Sequence, residues 1–304
     1  MGNYVRFDWA MKRLLRDKAN HAVLEGLMTS LLGERFTILH FLESEGNQED
    51  ETDKFNRVDM LVENERKELV IIEIQNSREL TYFHRMLYGV SKAVTDYISV
   101  GEDYGKVRKV YSVNIVYFSI GQGNDYVYHG KTVFRGLHDS EDILRLSKRQ
   151  QEIFMGTSPA QGAPLREAGD LFPEYYLLRV NGFDQVARTP LDEWISFLKT
   201  GDIAPDATAP GLAEARECLR IDRMSVEEYR SYMRHLENLR YQRSALGTSY
   251  DDGVQEGRRE GRREGLEEGT RKVALNLLSL RVPVATIVQA TGLTEEEING
   301  LRSE

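Results

Sequence analysis

Two short stretches constrain this chain more than any other feature. In the first, Val58, Met60 and Val62 alternate with Asp59, Leu61 and Glu63; in the second, Val70, Ile72 and Ile74 alternate with Ile71, Glu73 and Gln75. Strand side chains point alternately to the two faces of a sheet. Both apolar triplets belong on one buried face, which restricts how the two strands can pair, because a one-residue slip would turn every side chain over. Asn64-Glu65-Arg66-Lys67 lies between them as a turn. A turn centred on Arg66 makes paired residue numbers sum to 132. Asp59 then faces Glu73 directly, with Gln75 two residues along on the same face.

Two carboxylates opposed across a sheet repel each other. A divalent cation relieves that repulsion: Mg²⁺ takes hard oxygen ligands and keeps several waters, which suits it to phosphodiester chemistry. Acidic residues also occur at strand ends simply because those ends are solvated, and spacing alone leaves both readings open.

The surrounding pattern supplies the order α-β-β-β-α-β. Residues 7–32 read as one amphipathic helix, with Phe7, Ala10, Met11, Leu14, Leu15, Val23, Leu24, Leu27 and Leu31 at helical spacings. Strands are expected at 36–42, 56–63, 68–75 and 108–120. A helix is expected over about 79–99, its buried stripe formed by Leu80, Phe83, Leu87, Val90, Val94 and Ile98. The fold class is α+β, around a mostly antiparallel sheet. Residues 1–150 form the core. Residues 151–246 form a mostly helical extension with one further strand in EYYLLRVNGFDQ, and Pro205 and Pro210 mark a break in it.

Composition narrows the function classes. The net charge is −9, most of it in the second half, so any nucleic-acid contact must come from a local patch in the first half. Lys12, Arg13, Arg16 and Lys18 are one such patch, although a basic run is more often a solvated helix face. No stretch approaches the roughly 20 apolar residues of a membrane helix. Cys218 is the only cysteine, which excludes an internal disulfide and suits a reducing cytoplasm. The six histidines have no zinc-ligand spacing with a cysteine, and no glycine-rich phosphate loop is present.

Four motifs occur in order: Asp8-Trp9-Ala10-Met11-Lys12, RVDMLV around Asp59, IIEIQ around Glu73 and Gln75, and Arg85-Met86-Leu87-Tyr88. Over residues 5–150 this pattern resembles the PD-(D/E)xK nuclease superfamily, and more closely its recombination-promoting nuclease and transposase family. The resemblance implies a restriction-endonuclease-like αβββαβ core and a DNA endonuclease dependent on Mg²⁺ or Mn²⁺. It implies that Asp59 and Glu73 hold the metal, helped by the carbonyl of Ile74. Gln75 stands where the superfamily carries lysine, and it hydrogen-bonds without charge. Arg85, Tyr88 and Lys12 are implied as supporting or phosphate-binding residues. The rival is a non-catalytic DNA-binding or assembly protein with a decayed site.

The tail has its own pattern. Glycine recurs every fourth residue at Gly253, Gly257, Gly261, Gly265 and Gly269. Residues 247–272 are therefore a linker, or a helix sustained by self-association through the C-terminal region. Residues 273–304 resemble a small helix-turn-helix unit. Pro283 suits a first turn, Gly292 a turn, and Thr294 with Glu297 a capping box. Leu277, Ile287, Val288, Leu293, Ile298 and Leu301 form its expected core. Glu295, Glu296 and Glu297 open its last helix, so protein contact is as well supported as DNA reading.

Overall fold

The computed structural model describes residues 4–13, 17, 20–42, 59–98, 102–156 and 164–301. Among the described residues six strands form one sheet: β1 (Ile38–Leu42), β2 (Met60–Asn64), β3 (Leu69–Gln75), β4 (Val110–Val116), β5 (Val127–Gly130) and β6 (Glu174–Arg179), in the order β1-β2-β3-β4-β6-β5. The helices are α1 (Phe7–Arg13), α2 (His21–Leu32), α3 (Tyr82–Asp96), α4 (Lys148–Met155), α5 (Pro190–Thr200), α6 (Leu212–Cys218), α7 (Val226–Ser279), α8 (Val284–Thr291) and α9 (Glu295–Gly300).

The β2–β3 hairpin pairs Met60 with Ile72, Leu61 with Ile71 and Val62 with Val70, so residue numbers sum to 132. Lys67 closes the turn at φ 61°, and the Asn64 side-chain oxygen accepts from the N–H groups of Arg66 and Glu68. The sheet is mixed rather than mostly antiparallel. β1–β2, β2–β3 and β5–β6 are antiparallel, while β4 lies parallel to β3 and to β6. A parallel neighbour needs a crossover, and α3 supplies the one between β3 and β4. β6, expected within a separate extension, is a strand of this sheet, and the four-residue edge strand β5 has no counterpart among the expected elements.

The stretch expected as one helix from 7 to 32 is two. The Asn20 N–H closes a turn on the Asp17 carbonyl (2.8 Å) before α2 starts. Leu14 and Leu15 lie outside the described residues, as do Arg16, Lys18 and Val58. The helix α3 is turned relative to its expected stripe. It buries Tyr82, Met86, Gly89, Val90 and Ala93, whereas Leu80, Phe83 and Leu87 are exposed. Gly89 and Ala93 lie on the buried side of the helix, and the Tyr82 hydroxyl finds polar partners there.

On that face Leu61, Leu69, Ile71 and Val110 pack with Val90 and Ala93. Tyr82 and Met86 pack with Val116, Ile120 and Leu177. The opposite face carries Met60, Val62, Val70, Ile72, Val113 and Ile115, all buried. There α2 and α5 contact each other, contributing Leu24, Leu27, Trp194 and Phe197 to the fully buried set.

Two compact units divide the chain, residues 1–235 and 236–304, with the boundary inside α7. In the second unit the glycine-periodic segment is helical throughout. Beyond it Ala274, Ile287 and Ile298 form a small core with Leu277, Val288, Leu293 and Leu301 against it. Gly292 ends α8 at φ 73°, and Thr294 and Glu297 form a capping box on α9. Pro283 is the residue before α8 rather than part of its first turn.

Candidate active site

The carboxylates sit where the hairpin meets α3. Asp59 lies one residue before β2, and its Oδ2 accepts a hydrogen bond from the Ile74 N–H at 2.9 Å. That bond ties Asp59 to the backbone of β3 immediately beyond Glu73. Glu73 is 6% exposed. In the β3–β4 ladder it pairs with Asn114. The Tyr82 hydroxyl donates to Asn114 Oδ1 (3.0 Å) and lies 3.4 Å from Glu73 Oε2. Asn114 is held in turn, its Nδ2 donating to Ser112 Oγ at 2.9 Å.

Arg85, on the first turns of α3, bridges two acids. Its Nε is 3.6 Å from Glu73 Oε2 and its Nη1 is 3.5 Å from Glu79 Oε2. The Nε atom is buried and has no hydrogen-bond partner among the described residues, so its link to Glu73 is charge attraction without a formed bond. Burial pushes the Glu73 carboxyl up to about 6; the Arg85 charge opposes this and the Asp59 charge adds to it. Burial and then the Glu73 charge push the Tyr82 phenol upward as well. The site therefore stores carboxylate repulsion in a partly dry place, which a cation relieves.

Gln75 ends β3, half-buried, and its backbone carbonyl accepts from the Tyr117 N–H at 3.0 Å. Its side-chain amide has no hydrogen-bond partner among the described residues. Tyr88 is exposed one turn beyond Arg85. Lys12 falls in α1, and its side chain lies outside the described residues. Among the described residues no three His, Cys, Asp or Glu side chains converge as metal ligands. Asp59 and Glu73 nevertheless suit Mg²⁺, which needs one or two carboxylates and fills its remaining positions with water.

One residue escapes a reading of the sequence. Asp8 is buried just beyond Gln75, where Asn76 Nδ2 donates to its Oδ2 at 2.9 Å. Arg6 Nε meets Asp8 Oδ1 at 3.1 Å, and His235 Nε2 lies 3.1 Å from Oδ2. Arg6 also donates to Asn76 Oδ1 (2.9 Å) and stacks over the Tyr117 ring. Burial alone raises a carboxyl; here His235 and Arg6 outweigh it and hold Asp8 well below the usual carboxylate range. The only signal in the sequence is the spacing from Asp8 to Lys12, which points to the lysine instead.

A mixed sheet crossed by α3, with acids at the hairpin end and β3, defines a nuclease-like α+β protein. The family model for the PD-(D/E)XK nuclease family transposase matches residues 5–156, and the chain belongs to that family. No curated protein and no solved structure matches it. No helix among the described residues is long and apolar enough to cross a membrane.

Proposed function

We propose that this protein is a Mg²⁺-dependent DNA endonuclease, also served by Mn²⁺, that hydrolyses phosphodiester bonds and promotes recombination. The observation that carries this reading is the anchoring of Asp59 on the Ile74 N–H beside a buried Glu73 whose carboxyl is pushed up to about 6. Asp59 and Glu73 are the metal ligands, with the Ile74 carbonyl as the third oxygen that the family resemblance implies. When bound, the ion supplies a Lewis acid for the phosphoryl oxygen and lowers the pKa of a water.

The chain's own groups do the rest. Arg85 favours the ionised form of Glu73 that a ligand must have. Gln75 orients the attacking water or a phosphate oxygen through an amide that both donates and accepts. Tyr88 and Lys12 contact the DNA backbone. The neutral Gln75 is also the observation that favours the second reading, a DNA-binding or assembly protein with a decayed site, because a lysine there would stabilise developing negative charge.

The protein acts in the cytoplasm, where its single half-buried thiol, pushed up to about 11 by burial, stays inert. It forms a homo-oligomer through the C-terminal region. Plasmid nicking with and without Mg²⁺ tests the activity. Nicking by wild type and its loss in Asp59→Ala and Glu73→Ala are expected, with Gln75→Lys equal to or faster than wild type. Nicking by the purified Asp59→Ala/Glu73→Ala double variant at the wild-type rate refutes the assignment.

A further inference from the structure

An apolar groove of about 340 Å³ lies beside α3, across the helix's buried stripe from Arg85. Phe83, Met86 and Leu87 form one wall; Tyr128 on β5 with Tyr175 and Leu177 on β6 form the other. Three observations bear on what it holds.

The first is composition: almost all of the lining is carbon, and much of it is aromatic. Phe83 and Leu87 are 51% and 59% exposed, so the wall they form with Met86 is open to solvent and available to a partner. The second is charge. The Arg179 guanidinium lies over the Tyr128 ring, 5.8 Å from its centroid. Its Nη1 donates to the carbonyls of Gly123 and Asp125 (2.8 and 3.2 Å), and among the described residues it has no carboxylate partner. An aromatic wall therefore carries a guanidinium held by carbonyls rather than by a carboxylate, a group that can meet an anion with an apolar face. The third is continuity. Met86 and Leu177 in the groove pack in one cluster with Tyr82, and the Tyr82 hydroxyl lies 3.4 Å from Glu73 Oε2. Tyr82 thus links the cluster that walls the groove to Glu73.

We infer that this groove takes one unstacked base of single-stranded or locally opened DNA, with Arg179 meeting the adjoining phosphodiester. The inference rests on the nuclease reading above and specifies its substrate as DNA whose bases are free to leave the stack. Bases stack on aromatic side chains irrespective of sequence, and a base already unpaired enters such a pocket at little expense. The groove's volume is at the small end of ligand pockets, roughly 300–1,000 Å³, which suits one base. The 121–126 loop holds Tyr128 in place: the Asp125 N–H donates to its hydroxyl at 3.0 Å. A Cβ on Gly123 would stand 2.1 Å from that same oxygen, so any larger residue there would have to shift the Tyr128 ring.

The test uses the full-length protein without divalent metal and two probes, a single-stranded 12-mer carrying 2-aminopurine and a blunt duplex of the same sequence. Anisotropy gives affinity and 2-aminopurine emission reports stacking. Wild type is expected to bind the single strand at least tenfold more tightly than the duplex and to change its emission. Phe83→Ala is expected to lose about tenfold in single-strand affinity, with duplex affinity unchanged. Phe83→Trp, which keeps a stacking face, is expected to retain the preference, and thermal melts of both variants report folding. If wild type binds DNA but Phe83→Ala binds both probes as wild type does, the base pocket is overturned and the nuclease reading stands. If wild type binds neither probe, the DNA reading fails and the pocket with it. A change in the mass of the DNA-free protein on Phe83→Ala assigns the groove to a second copy and also overturns the inference.

Discussion

Glu73 shows how a single side chain records what a site is built for. Its carboxyl is raised from 4.5 to about 6, so the metal-free fold favours the neutral acid. Its contribution to stability is complete below about pH 4.5 and is lost as pH rises through about 6. Glu73→Gln removes that loss, since glutamine is always neutral and keeps the shape of the side chain. The metal-free variant should be more stable than wild type by about 2 kcal/mol at pH 7.5, with no gain at pH 4, as read from urea melts in EDTA. Asp8 has the opposite sign. Its carboxyl is held low, so its contribution is present above about pH 4 and declines as pH falls below that. Asp8→Asn leaves Arg6 and His235 without their anion and should cost about 3 kcal/mol at pH 7, with the penalty shrinking in acid. The two residues also differ in how visible they are in the sequence. Asp59, Glu73 and Gln75 can be placed because the Val/Ile alternation and a short turn fix a local register. Asp8 meets Asn76 and His235 across 68 and 227 residues of chain, and no periodicity reports such contacts.

At the scale of elements, the hairpin and β4 are legible because each is a run of β-branched residues between turn residues. Helix α3 is legible in place but not in rotation. Counting large apolar residues selects Leu80, Phe83 and Leu87, while the helix in fact seats Gly89 and Ala93 on the sheet and turns Tyr82 toward Glu73 and Asn114. The rotation is measurable. Leu80→Glu, at a side chain 85% exposed, should change stability by less than about 0.5 kcal/mol. Met86→Ala, at 7% exposed, should lose about 2–4 kcal/mol. Chemical denaturation of both checks this, and the reverse order would restore the expected stripe. β5 is hidden because four residues, VYHG, are too few to show a period, and its pairing with β6 is settled by tertiary contact. The mixed character of the sheet has the same origin: strand direction depends on what each crossover does.

For the whole molecule, the question is what sustains a 54-residue helix through five glycines spaced four apart. Each glycine costs a helix about 1 kcal/mol relative to alanine. The Arg259–Glu256 and Arg263–Glu267 pairs, at 2.6 and 3.9 Å, return only a few tenths of a kcal/mol each. Beyond Val254 the segment has no buried face: from 255 to 269 every residue is open to solvent. A Cβ at Gly253, Gly257, Gly261, Gly265 or Gly269 would meet nothing within 4 Å among the described residues. Within one chain, then, alanine fits at each site and should strengthen the helix. If a second copy packs along the glycine stripe, the same methyl groups stand in the way. The triple variant Gly257→Ala/Gly261→Ala/Gly265→Ala separates these cases by sign. With self-association, light scattering should show the oligomer weakened or lost even as intrinsic helix propensity rises, and truncation near Gly247 should give the same smaller mass. With a solitary helix, circular dichroism should show higher helicity and thermal stability at unchanged mass. An identical mass for wild type, triple variant and truncated chain, after allowing for the residues removed, eliminates assembly through this region.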